Sequence, residues 1–152
     1  MKKPRIALVT GGIQGLGAAS ALALQAAGCR VAVTNITESD ETLKFTQETS
    51  IPHFVWDVSD FDACAAGVDQ VERALGPVDI LVNNAWGGYE RMVENAQFTW
   101  GLPFWEQPLH RWTSMVDVGV RAAFLCGSHA ARLMVPQHSG LIVNIGFWAA
   151  QK

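Results

Sequence analysis

The stretch Val9-Thr10-Gly11-Gly12-Ile13-Gln14-Gly15-Leu16-Gly17 decides how the rest of this 152-residue chain reads. The apolar run Ile6 to Val9 leads into three glycines spaced T-G-x-x-x-G-x-G, and an alanine- and leucine-rich stretch follows from Ala18 to Ala27. Physically this is a buried strand, a tight turn and the first turns of a helix. Gly11 suits a turn conformation that a β-carbon penalises. Gly15 lets the backbone approach a ligand, and Gly17 lets the helix pack closely on the strand. The helix start offers unpaired N–H groups and the positive end of a dipole, a natural seat for a pyrophosphate. By itself such a turn is a weak sign of nucleotide binding. The remainder of the chain strengthens it.

Outward from that stretch, the sequence predicts strands and helices in alternation. Strand one is Arg5 to Thr10, and the first helix runs from Leu16 to Ala27 with Gly28 as its stop. Arg30 to Thr34 reads as a second strand and Glu38 to Ser50 as a polar helix. Pro52 to Asp57 forms the third strand. Val58-Ser59-Asp60 then caps a helix from Phe61 to Leu75, closed by Gly76-Pro77. Val78 to Val82 is the fourth strand, entering Asn83-Asn84. No period appears from Ala85 to Gln107, a tryptophan-rich insert of the length that usually serves as a functional lid. One long helix follows from Pro108 to Met134, and Leu141 to Ile145 is the last strand. Five short apolar strands alternating with helices predict an α/β fold, a doubly wound parallel sheet covered on both faces. Right-handed crossovers give the Rossmann-type order 3-2-1-4-5, in a single domain over 1–152.

Composition bounds the function. Apolar residues make up 49% and charged residues 16%, with a net charge of −3, which argues against nucleic acid or an anionic membrane as partner. No stretch approaches the roughly 18 apolar residues of a membrane span, and Ile6 to Val9 is too short for a signal-peptide core. Cys29, Cys64 and Cys126 are odd in number, scattered and without metal or disulfide spacing. They read as small buried hydrophobes of a cytoplasmic protein.

Five stretches taken together resemble the short-chain dehydrogenase/reductase (SDR) family. They are Thr10 to Gly17; Trp56-Asp57-Val58-Ser59-Asp60; Asp79-Ile80-Leu81-Val82-Asn83-Asn84-Ala85; Val116-Asp117-Val118-Gly119-Val120-Arg121 with Ala-Ala-Phe-Leu after it; and Gly140-Leu141-Ile142-Val143-Asn144-Ile145. Their order and spacing match along the whole chain. The Asn-Asn-Ala-Trp-Gly-Gly run and the insert look most like the branch that contains the dehydrogenase/reductase member 1 proteins. The resemblance implies a Rossmann fold, NAD or NADP as cofactor, and hydride transfer between alcohols and ketones. It implies that Gly11, Gln14, Gly15, Leu16 and Gly17 meet the cofactor's phosphates. Asp57 would bond the adenine amino group with the Val58 backbone beside it, although as a plain residue Asp57 also reads as a helix cap. Asn84, Ala85 and Trp86 would line the cofactor at the carboxyl edge, where Asn83 and Asn84 also read as a polar turn. Asn35 stands where an acidic residue selects NAD, and Ile36 where NADP users often carry Arg. Without a cation there, and with Gln14 in the first loop, the lean is to NAD.

The resemblance also shows what is missing. The family's supporting Asn is Gly119 here, and its Ser position falls at Gly146-Phe147, which has no hydroxyl. Its Tyr-x-x-x-Lys pair has no counterpart. Trp148-Ala149-Ala150-Gln151-Lys152 is a decoy, since Trp does not titrate, and Tyr89, the one tyrosine, belongs to the insert. Tyr89 therefore reads as a loop or lid side chain. The four histidines show no ligand spacing, and no nucleophile elbow is present. Trp86, Trp100, Trp105 and Trp112 cluster around the insert, either lining a pocket for a small apolar alcohol or carbonyl compound or forming a satellite core. The expectation is a fragment of an NAD(P)-dependent oxidoreductase, inactive by itself. The alternative is a non-catalytic dinucleotide-binding or interaction module. The apolar last strand would be an uncovered edge, so self-association or a homo-oligomer is expected.

Overall fold

The computed structural model describes residues 3–146, apart from the side chains of residues 89 and 90. Phe147 and the Trp148–Lys152 decoy lie outside the described residues, as does the side chain of Tyr89. The strand at the centre, β1 (Ile6–Thr10), is buried at every position. It pairs in parallel with β2 (Arg30–Asn35) on one side and β4 (Ile80–Asn83) on the other. Beyond them stand β3 (His53–Val55) and β7 (Leu141–Asn144), giving the order β3-β2-β1-β4-β7. That is the 3-2-1-4-5 order read from the sequence, once two hairpin strands of the insert, β5 (Val93–Glu94) and β6 (Gln97–Phe98), are counted. β3 is shorter than the predicted Pro52–Asp57, because only three of its residues pair with β2.

Side-chain alternation within each strand feeds two cores. Ala7 and Val9 of β1, Val31 and Val33 of β2, and Ile80 and Val82 of β4 point to the face covered by α1 (Gly15–Ala26) and α2 (Asp40–Thr49). Leu8, Ala32 and Leu81 point the other way, against α3 (Phe61–Leu75) and α5 (Ala122–Met134). Burial on both faces is why these strands read as continuous apolar runs. Helix ends follow local chemistry. Ser39 and Thr42 exchange a capping box at the start of α2, and the Asp60 carboxylate accepts the Ala63 N–H (2.7 Å) at the start of α3. The cap of α3 is therefore Asp60, not Asp57. Gly76 ends that helix with φ 114°.

The predicted helix 108–134 is corrected in two ways. It starts at α4 (His110–Trp112), a single turn, and then widens into a π-helix from Thr113 to Arg121 before α5. The insert is also not shapeless. It holds two 3-10 turns (Tyr89–Met92 and Phe104–Glu106) around the β5–β6 hairpin. At the β7 edge of the sheet Leu141, Ile142 and Ile145 are 38–51% exposed.

On α3, a β-carbon at Gly67 would overlap the indole of Trp56, itself buried in the core. Gly67→Ala is expected to lower unfolding stability by about 1–3 kcal/mol through overpacking. Urea denaturation followed by tryptophan fluorescence checks it, and an unchanged midpoint would show that Trp56 has room to move.

Candidate functional site

The carboxyl ends of β1, β2 and β4 meet the glycine loop. The Thr10 hydroxyl is buried at the end of β1 and donates to Val82 O (3.4 Å). It accepts from the backbone N–H groups of Asn84 (3.0 Å) and Ala85 (3.1 Å). The Asn84 side-chain amide donates to Thr10 O (3.1 Å) and Gly11 O (3.0 Å). Gly12 N–H reaches the end of β2, bonding Thr34 O at 3.2 Å. These bonds brace the turn after β1 against the turns after β2 and β4.

Each glycine of the motif has a distinct role. Gly11 takes a left-handed φ of 62°, and a β-carbon on it would lie 3.1 Å from Ala85 Cα. A β-carbon on Gly17 would overlap Gly11 O, so α1 sits hard against the loop. Gly15 differs. It has φ 53°, and nothing lies within 4 Å of where its β-carbon would be. The helix N-cap, Gln14, is extended and makes no side-chain capping bond. Gln14, Gly15 and Leu16 are all exposed, leaving the start of a twelve-residue helix open to solvent. Its unpaired N–H groups and positive dipole end suit an anion.

The other predicted residues fall around the same edge. Asn35 ends β2, and its side-chain amide donates to Thr37 O (3.1 Å). Asp57 lies just past β3, and its Oδ1 accepts from both Ser59 N–H (2.8 Å) and Ser59 Oγ (2.7 Å). That Asx turn fixes the carboxylate at the sheet edge. The Val58 side chain is buried in the core, so only its backbone remains for the edge. Ala85 and Trp86 are half-buried after β4. Asn83 donates to Asn144 Oδ1 (2.8 Å) and Ala123 O (3.3 Å), linking β4 to β7 and α5, while its own Oδ1 is buried without a partner. Gly119, on the π-helix, and Gly146, past β7, have open space at their β-carbon positions.

Beside this edge stands the insert, and its anchor was not legible in the sequence. Arg111 is only 5% exposed. Its guanidinium donates to Thr99 O (3.0 Å), Arg91 O (3.3 Å), Met92 O (3.4 Å) and the Thr99 hydroxyl, and it lies 5.8 Å from the ring centroid of Trp100. By contrast Trp100, Trp105 and Trp112 are 46–72% exposed. Of the two readings of these tryptophans, the exposure of these three does not favour a satellite core, and a buried arginine ties the insert down. Gly87 N–H bonds Ser114 O (3.0 Å), fastening the start of the insert to the π-helix. Two of the cysteines read as scattered also meet, Cys64 Sγ lying 2.9 Å from Cys126 Sγ.

Two substitutions test this geometry. Thr10→Val strips the acceptor from two N–H groups and is expected to cost about 2–4 kcal/mol, with Thr10→Ser recovering most of it. Equal losses in both, measured by chemical denaturation, would mean that the hydroxyl is not the brace. Arg111→Met is expected to speed thermolysin cleavage within residues 88–107 at least about tenfold, because the carbonyls it holds lose their donors. Cleavage at the wild-type rate would show that the insert holds itself.

The comparisons with known proteins agree with this architecture. The family model for short chain dehydrogenases matches residues 5–152. An acetoacetyl-CoA reductase of Rhizobium meliloti (strain 1021) is 57% identical over 149 residues, covering 97% of this chain and 57% of that protein. Dehydrogenase/reductase SDR family member 1 of Mus musculus is 35% identical over 151 residues, covering 94% and 46% respectively. Among solved structures, a mutant Serratia marcescens short-chain dehydrogenase/reductase superposes with a TM-score of 0.79 at 29% identity, over 97% of this chain and 57% of that one. The chain thus spans about half the length of the relatives it matches. The family is one of oxidoreductases that use NAD(P). With its parallel sheet, its glycine loop and a match from residue 5 to residue 152, the chain belongs to the short-chain dehydrogenase/reductase family.

Proposed function

We propose that residues 1–152 form the dinucleotide-binding half of an NAD(P)-dependent oxidoreductase acting on an alcohol or carbonyl group, and that this stretch alone holds cofactor without turning over substrate. The observation that carries this reading is Gly15, left-handed and facing open space at the start of α1, beside neighbours that are packed tight. Open backbone at that point leaves room for a pyrophosphate to approach the start of α1. Gly11, Gln14, Gly15, Leu16 and Gly17 hold the pyrophosphate, and Asn35 faces the adenosine ribose. Asp57 and the Val58 backbone meet the adenine, while Asn84, Ala85 and Trp86 line the path toward the nicotinamide. The bound nicotinamide supplies the site that gives or takes hydride.

Chemistry beyond binding needs a proton carrier near the carboxyl edge. Within this sequence the only tyrosine is Tyr89, with Val93 rather than a lysine four residues on. Gly119 and Gly146 bring no side chain. These residues support the reading of a binding half without turnover. An apolar alcohol or carbonyl substrate fits the exposed Trp105 and Phe104 of the insert.

NAD is the proposed cofactor. Residues 11–16 and 34–38 contain no Lys or Arg to take an additional phosphate. Glu38 adds negative charge to the second loop, with its Oε2 3.7 Å from His53 Nε2. Exposed Val120 and Phe124 support self-association. The three free thiols support a cytoplasmic setting.

Titration with NADH and NADPH tests the reading. Saturable binding is expected, at least about tenfold tighter for NADH, a preference of roughly 1.4 kcal/mol. Gly15→Val is expected to weaken it more than about tenfold while costing only about 1–2 kcal/mol of stability, from the left-handed backbone. Absence of saturable binding to the folded wild-type chain would sink the proposal. Carbonyl reduction by residues 1–152 alone would sink the claim that this stretch does not turn over.

A further inference from the structure

The pairing of Cys64 with Cys126 is independent of the cofactor site. Cys64 lies in the first turn of α3 and Cys126 in α5, 62 residues apart in sequence, and their sulfurs are 2.9 Å apart. Both are 0% exposed. A disulfide requires the sulfurs to close to about 2.05 Å, so under one ångström of movement separates the two states. We propose that Cys64 and Cys126 are a dithiol–disulfide pair, oxidised by a hydroperoxide to an intramolecular disulfide that locks α3 onto α5.

The chemistry is asymmetric. The hydrogen bond from Cys126 holds the Cys64 thiol below its ordinary range, and the same contact together with burial pushes the Cys126 thiol up. With Cys64 taken as the attacking thiolate, its sulfur attacks the peroxide oxygen. The O–O bond breaks, one oxygen leaves as hydroxide and takes a proton to become water, or an alcohol if the peroxide is organic, and Cys64 becomes a sulfenic acid. The Cys126 sulfur then attacks the Cys64 sulfur. The S–O bond breaks, and the departing hydroxide takes the Cys126 proton as water. In total two thiols lose two electrons and two protons, and the peroxide is reduced.

Burial sets the conditions. Neither sulfur meets solvent, so oxidation proceeds through opening of the α3–α5 seam, and the bond once formed resists reduction while that seam is closed. The lock acts close to the carboxyl edge. Cys126 is three residues after Ala123, whose carbonyl accepts from Asn83 at the end of β4. In a reducing compartment, a pair of this kind is transient and redox-sensing rather than structural.

The test treats the natural protein, purified under reductant, with hydrogen peroxide and then blocks remaining thiols before trypsin digestion. The three cysteines fall in separate tryptic peptides: residues 6–30, 45–73 and 122–132. The expected product joins 45–73 to 122–132, disappears on treatment with dithiothreitol, and is formed equally by Cys29→Ser. It should raise the melting midpoint by about 5–10 °C, because it closes a long loop. Cys126→Ala should yield no such link. If that variant does not fold, the wild-type peptide map still decides. Blocked free thiols at both positions, direct over-oxidation of both, or links made only through Cys29 would overturn the proposal.

Discussion

One hydroxyl holds the carboxyl edge together. Where β4 runs out, the N–H groups of Asn84 and Ala85 have left the ladder and need acceptors, and buried amides without them are costly. Thr10 Oγ accepts both and returns its own proton to Val82 O. Asn84 then donates to the carbonyls of Thr10 and Gly11. In the order β3-β2-β1-β4-β7, β1 and β4 are the neighbours between which the chain reverses its direction of travel across the sheet. Open α/β sheets leave a crevice at that point. Here the crevice has cross-braced walls, so the glycine loop can stay open at Gly15 while closed at Gly11 and Gly17.

This part of the molecule was legible because its signals are local. Glycine spacing, apolar runs and helix stops each act within a few residues, and handedness then leaves few sheet orders. The rest depended on partners far away in sequence. Nothing near Arg111 announces burial, because its acceptors lie 12–20 residues earlier in an insert without period. The β5–β6 hairpin turns through Asn95 and Ala96, at φ 48° and 62°. Asparagine hints at such a turn, but alanine, with its β-carbon, argues against it. The meeting of Cys64 with Cys126 follows from how α3 and α5 pack. Asp57 and Asp60 compete as caps in the sequence, and only the backbone assigns the cap to Asp60.

Two kinds of fastening divide the structure. The sheet is held by apolar burial on both faces, with Ala7, Leu8 and Val9 inaccessible to solvent. The insert has few such residues. Met92 is buried there, while Phe98, Trp100, Phe104 and Trp105 remain exposed. Its order rests on directional bonds from the Arg111 guanidinium, the Gln107 amide and the Gly87 N–H, and the guanidinium meets no carboxylate among the described bonds. An insert fastened in this way depends less on apolar packing than on a few directional bonds. That suits a surface whose aromatic side chains are left available for contact.

The π-helix from Thr113 to Arg121 has a consequence for how this family member tolerates change in length. Each bond in such a segment spans one residue more than in an α-helix, so every turn carries slack. A one-residue deletion inside an α-helix rotates everything downstream by about 100°. Inside Thr113–Arg121, the same deletion can be absorbed by narrowing one wide turn to α. The faces of α5 that meet α3 and β4 would keep their alignment. The segment thus works as an expansion joint between the insert and the sheet, letting one side vary in length while the other keeps its register.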